Sequence, residues 1–140
     1  MIVIDASVAI QCVLPEAQSA AARELVLAEF CVAPDLIVSE CMNALWKSVR
    51  RDRITEQEAR LAAKAFSDIS IELVTSASLS GRALELALML DHPVYDCFYL
   101  ALAEERGGDL ITSDRSLRRK CADARLNTVS VRLLGDDQHD

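Results

Sequence analysis

Histidine is almost absent from this chain of 140 residues, which carries only His92 and His139. Aromatic residues are scarce too, with one tryptophan, two tyrosines and three phenylalanines. Four glycines and three prolines are too few for a flexible linker or a low-complexity tract. The five cysteines (Cys12, Cys31, Cys41, Cys97 and Cys121) are odd in number, widely spaced and without a CxxC pair. Neither histidine stands at a zinc-ligand spacing from them. These absences exclude a zinc finger and a disulfide framework, and leave the cysteines as small hydrophobes in a reducing compartment. No apolar run approaches the roughly 20 residues that span a bilayer. The opening MIVIDASVAI has no basic stretch ahead of its apolar residues and no small-residue cleavage site, so it reads as a strand rather than a secretory signal. A cytoplasmic protein with no membrane partner is expected.

Positive charge is also in deficit, with a formal net charge of −7. Taken alone, that sign argues against a nucleic-acid binder. The distribution is uneven, however. Lys47, Arg50, Arg51 and Arg53 form one basic cluster, and Arg115, Arg118, Arg119 and Lys120 form another. Local patches outweigh the global sign in deciding what a surface attracts.

What is present is a globular composition, 51% apolar, at a length that buries one core without staples. A single domain over residues 1–140 is the simplest organisation. Ile2-Val3-Ile4 is a short β-branched run suited to a strand buried on both faces. Residues 17–29 read as helix, 30–33 as a strand stopped by Pro34, and 35–51 as an amphipathic helix. The apolar stripe of that helix is Ile37, Val38, Cys41, Met42, Leu45 and Val49. Thr55 with Glu58 three residues on matches a capping box for a helix ending near Asp68. A strand is expected at 71–74 and a helix at 79–90, closed by the turn Asp91-His92-Pro93. A very apolar helix follows from Asp96 to Arg106, closed by Gly107-Gly108. A strand at 110–112, a helix at 115–124 and a strand at 128–131 complete the chain. Short apolar strands alternating with helices imply an α/β fold: a mostly parallel sheet with helices on both faces. In such sheets the functional crevice lies beyond the carboxyl ends of the strands.

Acids stand at that edge. Asp5 directly follows the first strand, and Asp114 closely follows Leu110-Ile111-Thr112. Asp96 leads the apolar helix, and Glu40 lies on the helix after the second strand. Each has an ordinary explanation. Asp114 or Ser113 suits a helix N-cap, Asp5 suits the cap of a short helical turn, Asp96 suits a helix dipole, and Glu40 suits a solvated face or a pair with Lys47. Together they are harder to explain away. Carboxylates crowded into one crevice raise one another's pKa and call for a positive partner. A hard divalent cation with oxygen ligands, Mg²⁺ or Mn²⁺, is the natural one, and no histidine is placed for a softer site. Such an ion with open positions suits phosphoester hydrolysis.

The segments VIDASV around Asp5, SECMNALW around Glu40, YDCFYLALAEE around Asp96 and LITSD ending at Asp114 resemble, in order and spacing, the PIN-domain nucleases and within them the VapC-type toxins. The resemblance covers essentially the whole chain. It implies a three-layer α/β/α sandwich with a central parallel sheet of four to five strands. It implies an endoribonuclease of a type II toxin–antitoxin pair that uses Mg²⁺ or Mn²⁺, forms a homodimer and is silenced by a cognate antitoxin. The family's four acidic positions fall on Asp5, Glu40, Asp96 and Asp114, and its small polar positions on Ser7, Asn43 and Ser113. Asp5 and Asp96, from the best-buried elements, rank as direct metal ligands, with Asp114 and Glu40 acting through waters or a second ion. Arg115 and the Lys47–Arg53 cluster suit the RNA backbone. Trp46 and Tyr99 read as core residues rather than base-stacking platforms.

Other chemistries fit less well. A phosphoacceptor receiver module wants paired acids after the first strand, whereas Ala6 follows Asp5. A haloacid-dehalogenase-like phosphatase wants a second Asp at position 7, where Ser7 stands. A PIN-domain RNA-processing nuclease, or an inactive binding module of that fold, shares every residue named above.

Overall fold

The computed structural model describes residues 1–136. His139 lies outside them, as does the end of the domain span expected from sequence. Five strands, β1 (Ile2–Ile4), β2 (Cys31–Pro34), β3 (Ile71–Val74), β4 (Asp109–Thr112) and β5 (Val131–Leu133), form one sheet in the order β3-β2-β1-β4-β5. Every pairing is parallel. β1 and β2 are wholly buried, which is why they read as unbroken apolar runs.

Seven helices connect the strands: α1 (Ala6–Val13), α2 (Ser19–Ala28), α3 (Leu36–Arg50), α4 (Glu56–Asp68), α5 (Ser80–Leu90), α6 (Val94–Arg106) and α7 (Arg115–Asp123). From β1 the chain steps first to β2 and β3 on one side, then returns past β1 to β4 and β5 on the other. Right-handed crossovers then put α1–α4 on one face and α5–α7 on the opposite face. Helix contacts follow that division: α1 packs on α2, α3 and α4, and α5 packs on α6. The α/β/α layering expected from the sequence is thus observed.

Some elements differ from expectation. The helical turn expected after β1 is a full helix, α1, which ends where Pro15 forces Leu14 into an extended conformation. Pro34, expected to stop β2, is its last residue and lies opposite Val74. The final strand begins three residues later than expected. Val129 packs against the core from the preceding loop, and the ladder with β4 runs from Val131 to Leu133. Val129 to Leu133 alternates apolar and polar, so the sequence alone permits either register. α6 begins at Val94, immediately after Pro93 and two residues earlier than expected. It is the central helix of its layer, touching β1, β2 and β4, with Tyr99, Leu100 and Leu102 all but inaccessible.

Candidate active site

Two neighbouring strands set the floor of the site. In the β1–β4 ladder Ile4 lies opposite Ile111, so the residues just beyond, Asp5 and Thr112, emerge side by side at the carboxyl edge. Asp5 is only 6% exposed. Its Oδ1 accepts from Ser7 Oγ and from the Val8 backbone N–H at 3.2 Å, and its Oδ2 accepts from Thr112 Oγ1. Asp5 therefore does cap α1. The same Thr112 hydroxyl accepts from the Asp114 backbone N–H at 3.0 Å, and Ser7 Oγ accepts from the Ser113 N–H at 3.0 Å. A continuous chain of hydrogen bonds thus links the two strand ends.

Asp114 caps α7, its Oδ1 accepting from the N–H groups of Ser116 and Leu117 at 2.9 and 3.2 Å. The ordinary explanation offered for it is correct, and so is its position at the edge. Glu40 reaches inward from α3 and accepts from Tyr99 Oη at 2.6 Å, a contact to α6 in place of the expected Lys47. Asp96 lies in the first turn of α6. One oxygen each of Glu40, Asp96 and Asp114 accepts no hydrogen bond among the described residues.

The electrostatics agree with crowding. Burial pushes the Asp5 carboxyl up to about 6, against the lowering effect of its three donors, and the charge of Asp96 adds to the rise. Burial likewise raises Glu40, with the Tyr99 hydroxyl opposing and Asp96 and Asp5 contributing. Tyr99 is pushed up by burial and by the Glu40 charge, so its hydroxyl stays a donor. Among the described residues none of the four acids has a lysine or arginine partner.

A histidine is present after all, which corrects the sequence-based expectation. His92 Nε2 lies 2.6 Å from Asp96 Oδ2. Ligand atoms of His92, Asp96 and Asp114 all fall within 4.8 Å of one another. Asp5 and Glu40 stand outside that tight group and are tied to it by charge. Two buried polar atoms at this edge, His92 Nδ1 and Ser113 Oγ, have no hydrogen-bond partner among the described residues. An oxygen-rich donor set with spare carboxylate oxygens and orphaned polar atoms fits a divalent cation.

The remaining expected residues separate. Ser7 and Ser113 belong to the network, while Asn43 sits exposed one turn beyond Glu40 on α3. Arg115 is exposed beside Asp114. Tyr99 is buried as expected and also touches the site. Trp46 is not a core residue: it is 55% exposed, lines a groove with Met42 and Ala63, and carries the Arg50 guanidinium 5.5 Å from its ring centroid. Sequence reasoning missed Thr112 and His92. Thr112 was hidden as the last residue of a strand, and His92 as part of a turn, although His92 and Asp96 are four apart across a proline that opens a helix.

A family model described as PIN domain matches residues 2–123. Ribonuclease VapC3 of Pyrobaculum aerophilum is 35% identical over 122 residues, covering 85% of this chain and 93% of that protein. A solved Pyrobaculum aerophilum structure is similar with a TM-score of 0.70 at 24% identity, covering 93% of this chain and 82% of that one. A toxin–antitoxin complex from Klebsiella pneumoniae contains a chain similar at a TM-score of 0.61 and 16% identity, covering 92% and 95%. The two structures speak for the fold. The chain belongs to the PIN-domain family, on the branch of the VapC ribonucleases. Nucleases of this family depend on a divalent metal ion, and the acidic cluster supplies a fitting place for one.

Proposed function

We propose that the chain is a metal-dependent endoribonuclease, the toxic member of a type II toxin–antitoxin pair, with Mg²⁺ or Mn²⁺ as its ion. The observation that carries the reading is a set of four acids gathered beyond the carboxyl edge of the sheet, none with a lysine or arginine partner among the described residues. The 35% identity to a ribonuclease supports RNA as substrate. Likeness to a chain in a toxin–antitoxin complex supports a cognate antitoxin as partner. A cytoplasmic homodimer, built from residues 1–140 as one catalytic domain, completes the proposal. No described helix is long and apolar enough to cross a membrane.

Asp96 and Asp114, rather than the pair Asp5 and Asp96 ranked from the sequence, hold the ion directly, because both oxygens of Asp5 already accept hydrogen bonds while Asp96 and Asp114 each keep one free. Asp5 and Glu40 complete the site. When bound, such an ion supplies Lewis acidity toward a phosphoryl oxygen and a more acidic water. Ser7, Thr112 and the Val8 N–H keep Asp5 in one orientation, and Tyr99 does the same for Glu40. Arg115, Asn43 and the Lys47–Arg53 cluster bind the RNA backbone.

Protein purified free of any partner is expected to cleave RNA with Mg²⁺ or Mn²⁺. It should not do so in EDTA, nor as Asp96→Asn. A folded protein that binds neither ion would overturn the proposal.

A further inference from the structure

We infer that His92 is a nitrogen ligand of the metal site, and that it shifts the site's preference from Mg²⁺ toward transition-metal dications. The inference rests on the reading of this edge as a metal centre. Four observations carry it. The His92 side chain is 7% exposed and faces the acids rather than solvent. One of its nitrogens belongs to the group of three ligand atoms that lie within 4.8 Å of one another. Nε2 is 2.6 Å from Asp96 Oδ2, so the ring is already beside a ligand carboxylate. Nδ1, although buried, has no hydrogen-bond partner among the described residues.

The alternative role for such a ring is to orient Asp96 from outside the ion's own shell. A histidine that ligates through one ring nitrogen has its other nitrogen held by a hydrogen bond, commonly to a carboxylate. Asp96 holds Nε2 in that way at 2.6 Å, and the buried Nδ1 is the ring nitrogen without a protein partner among the described residues. The backbone around the ring is fixed as well. Asp91 ends α5 in the left-handed conformation (φ 50°), the His92 N–H bonds to the Ala87 carbonyl at 3.2 Å, and Pro93 follows. Lys120 Nζ reaches from α7 to the Asp91 carbonyl at 2.8 Å, tying this turn to the helix that Asp114 caps. The turn therefore delivers the imidazole to the gap between Asp96 and Asp114. Carboxylates alone suit Mg²⁺, whereas an imidazole nitrogen favours first-row transition ions.

Mn²⁺ is the probe, because it is paramagnetic and binds oxygen and nitrogen donors. The full chain would be loaded with one equivalent of Mn²⁺ and its directly bound ¹⁴N coupling read by pulsed electron paramagnetic resonance. The parent and His139→Gln should show an imidazole coupling, and His92→Gln should lose it. In titrations, His92→Gln should weaken Mn²⁺ by at least about tenfold, as loss of groups that support a metal site does, and leave Mg²⁺ within threefold. Bound Mn²⁺ without nitrogen coupling, a coupling lost with His139 instead, or an equal loss for both ions would overturn the assignment of His92 while leaving the metal centre intact. No Mn²⁺ binding by the folded parent would remove the metal centre itself and this inference with it.

Discussion

Asp5 is the most deeply buried of the four acids. Its folded-state carboxyl is raised to about 6 by burial from an ordinary value of 3.8. A raised folded pKa means that the folded protein binds the proton more tightly than the unfolded chain does. The associated stability is complete below about pH 4 and is lost as pH rises through 6, a swing of about 3 kcal/mol. Glu40 shifts in the same direction and adds to the trend. The metal-free protein should therefore melt several degrees higher at pH 5 than at pH 7.5. Asp5→Asn, which keeps the shape and removes the buried charge, should melt above the parent at pH 7.5 in EDTA while losing cleavage. Calorimetry at both pH values checks this, and a variant that melts lower at pH 7.5 would show that the hydrogen bonds to Asp5 outweigh its desolvation. Divalent ions should raise the melting temperature of the parent more than that of the variant.

At the scale of elements, α6 does two tasks at once: its middle fills the core and its first turn supplies Asp96. Its exit depends on Gly107, whose φ of 67° lies in the left-handed region. A Cβ there meets no neighbour, so Gly107→Ala should cost only the conformational penalty, about 1 kcal/mol. Gly108 differs, because a Cβ would stand 3.1 Å from the Met1 carbonyl oxygen. Denaturant melts should rank Gly108→Ala as the more damaging of the two, and the reverse order would place the strain in the wrong residue. These elements also show what is legible in a sequence. β1 and the Leu110-Ile111 centre of β4 were readable because a strand segment buried on both faces has no choice but to be apolar. The Thr55–Glu58 capping box forms as its spacing predicts, with both reciprocal bonds near 3.0 Å. α1 was less legible. ASVAIQCV mixes helix formers with β-branched residues, and its one start signal, Asp5, is also a candidate metal ligand. His92 was missed because its contact to Asp96 depends on α6 starting at Val94, a boundary two residues from the expected one. A shift of half a turn decides whether a residue belongs to a loop or to a site.

At the scale of the whole molecule, a net charge of −7 must be reconciled with a polyanionic substrate. The structure divides the basic residues into two kinds. Arg82, Arg106 and Arg132 are committed to acids within the fold, and so is Arg118, which pairs with Asp136 at 3.0 Å. Arg115 and Arg119 on α7, and Arg51 and Arg53 after α3, have no ion-pair partner among the described residues. From Glu40 to Arg50 along α3 is ten residues, roughly 15 Å of helix. The basic end of α3 is thus set two or more nucleotides away from the acids, while Arg115 is next to Asp114. Under the proposed function, such an arrangement suits flanking phosphates and leaves the reacting one to the metal site. Arg115→Ala should raise KM for RNA more at 50 mM than at 200 mM salt, because each lost phosphate contact reduces the salt slope by roughly 0.7 for a single strand. Combining Arg51→Ala with Arg53→Ala should reduce that slope further, with kcat nearly unchanged in both variants. A fall in kcat at constant KM would instead put these arginines at the reacting phosphate, and an unchanged salt slope would mean that the RNA approaches over another face.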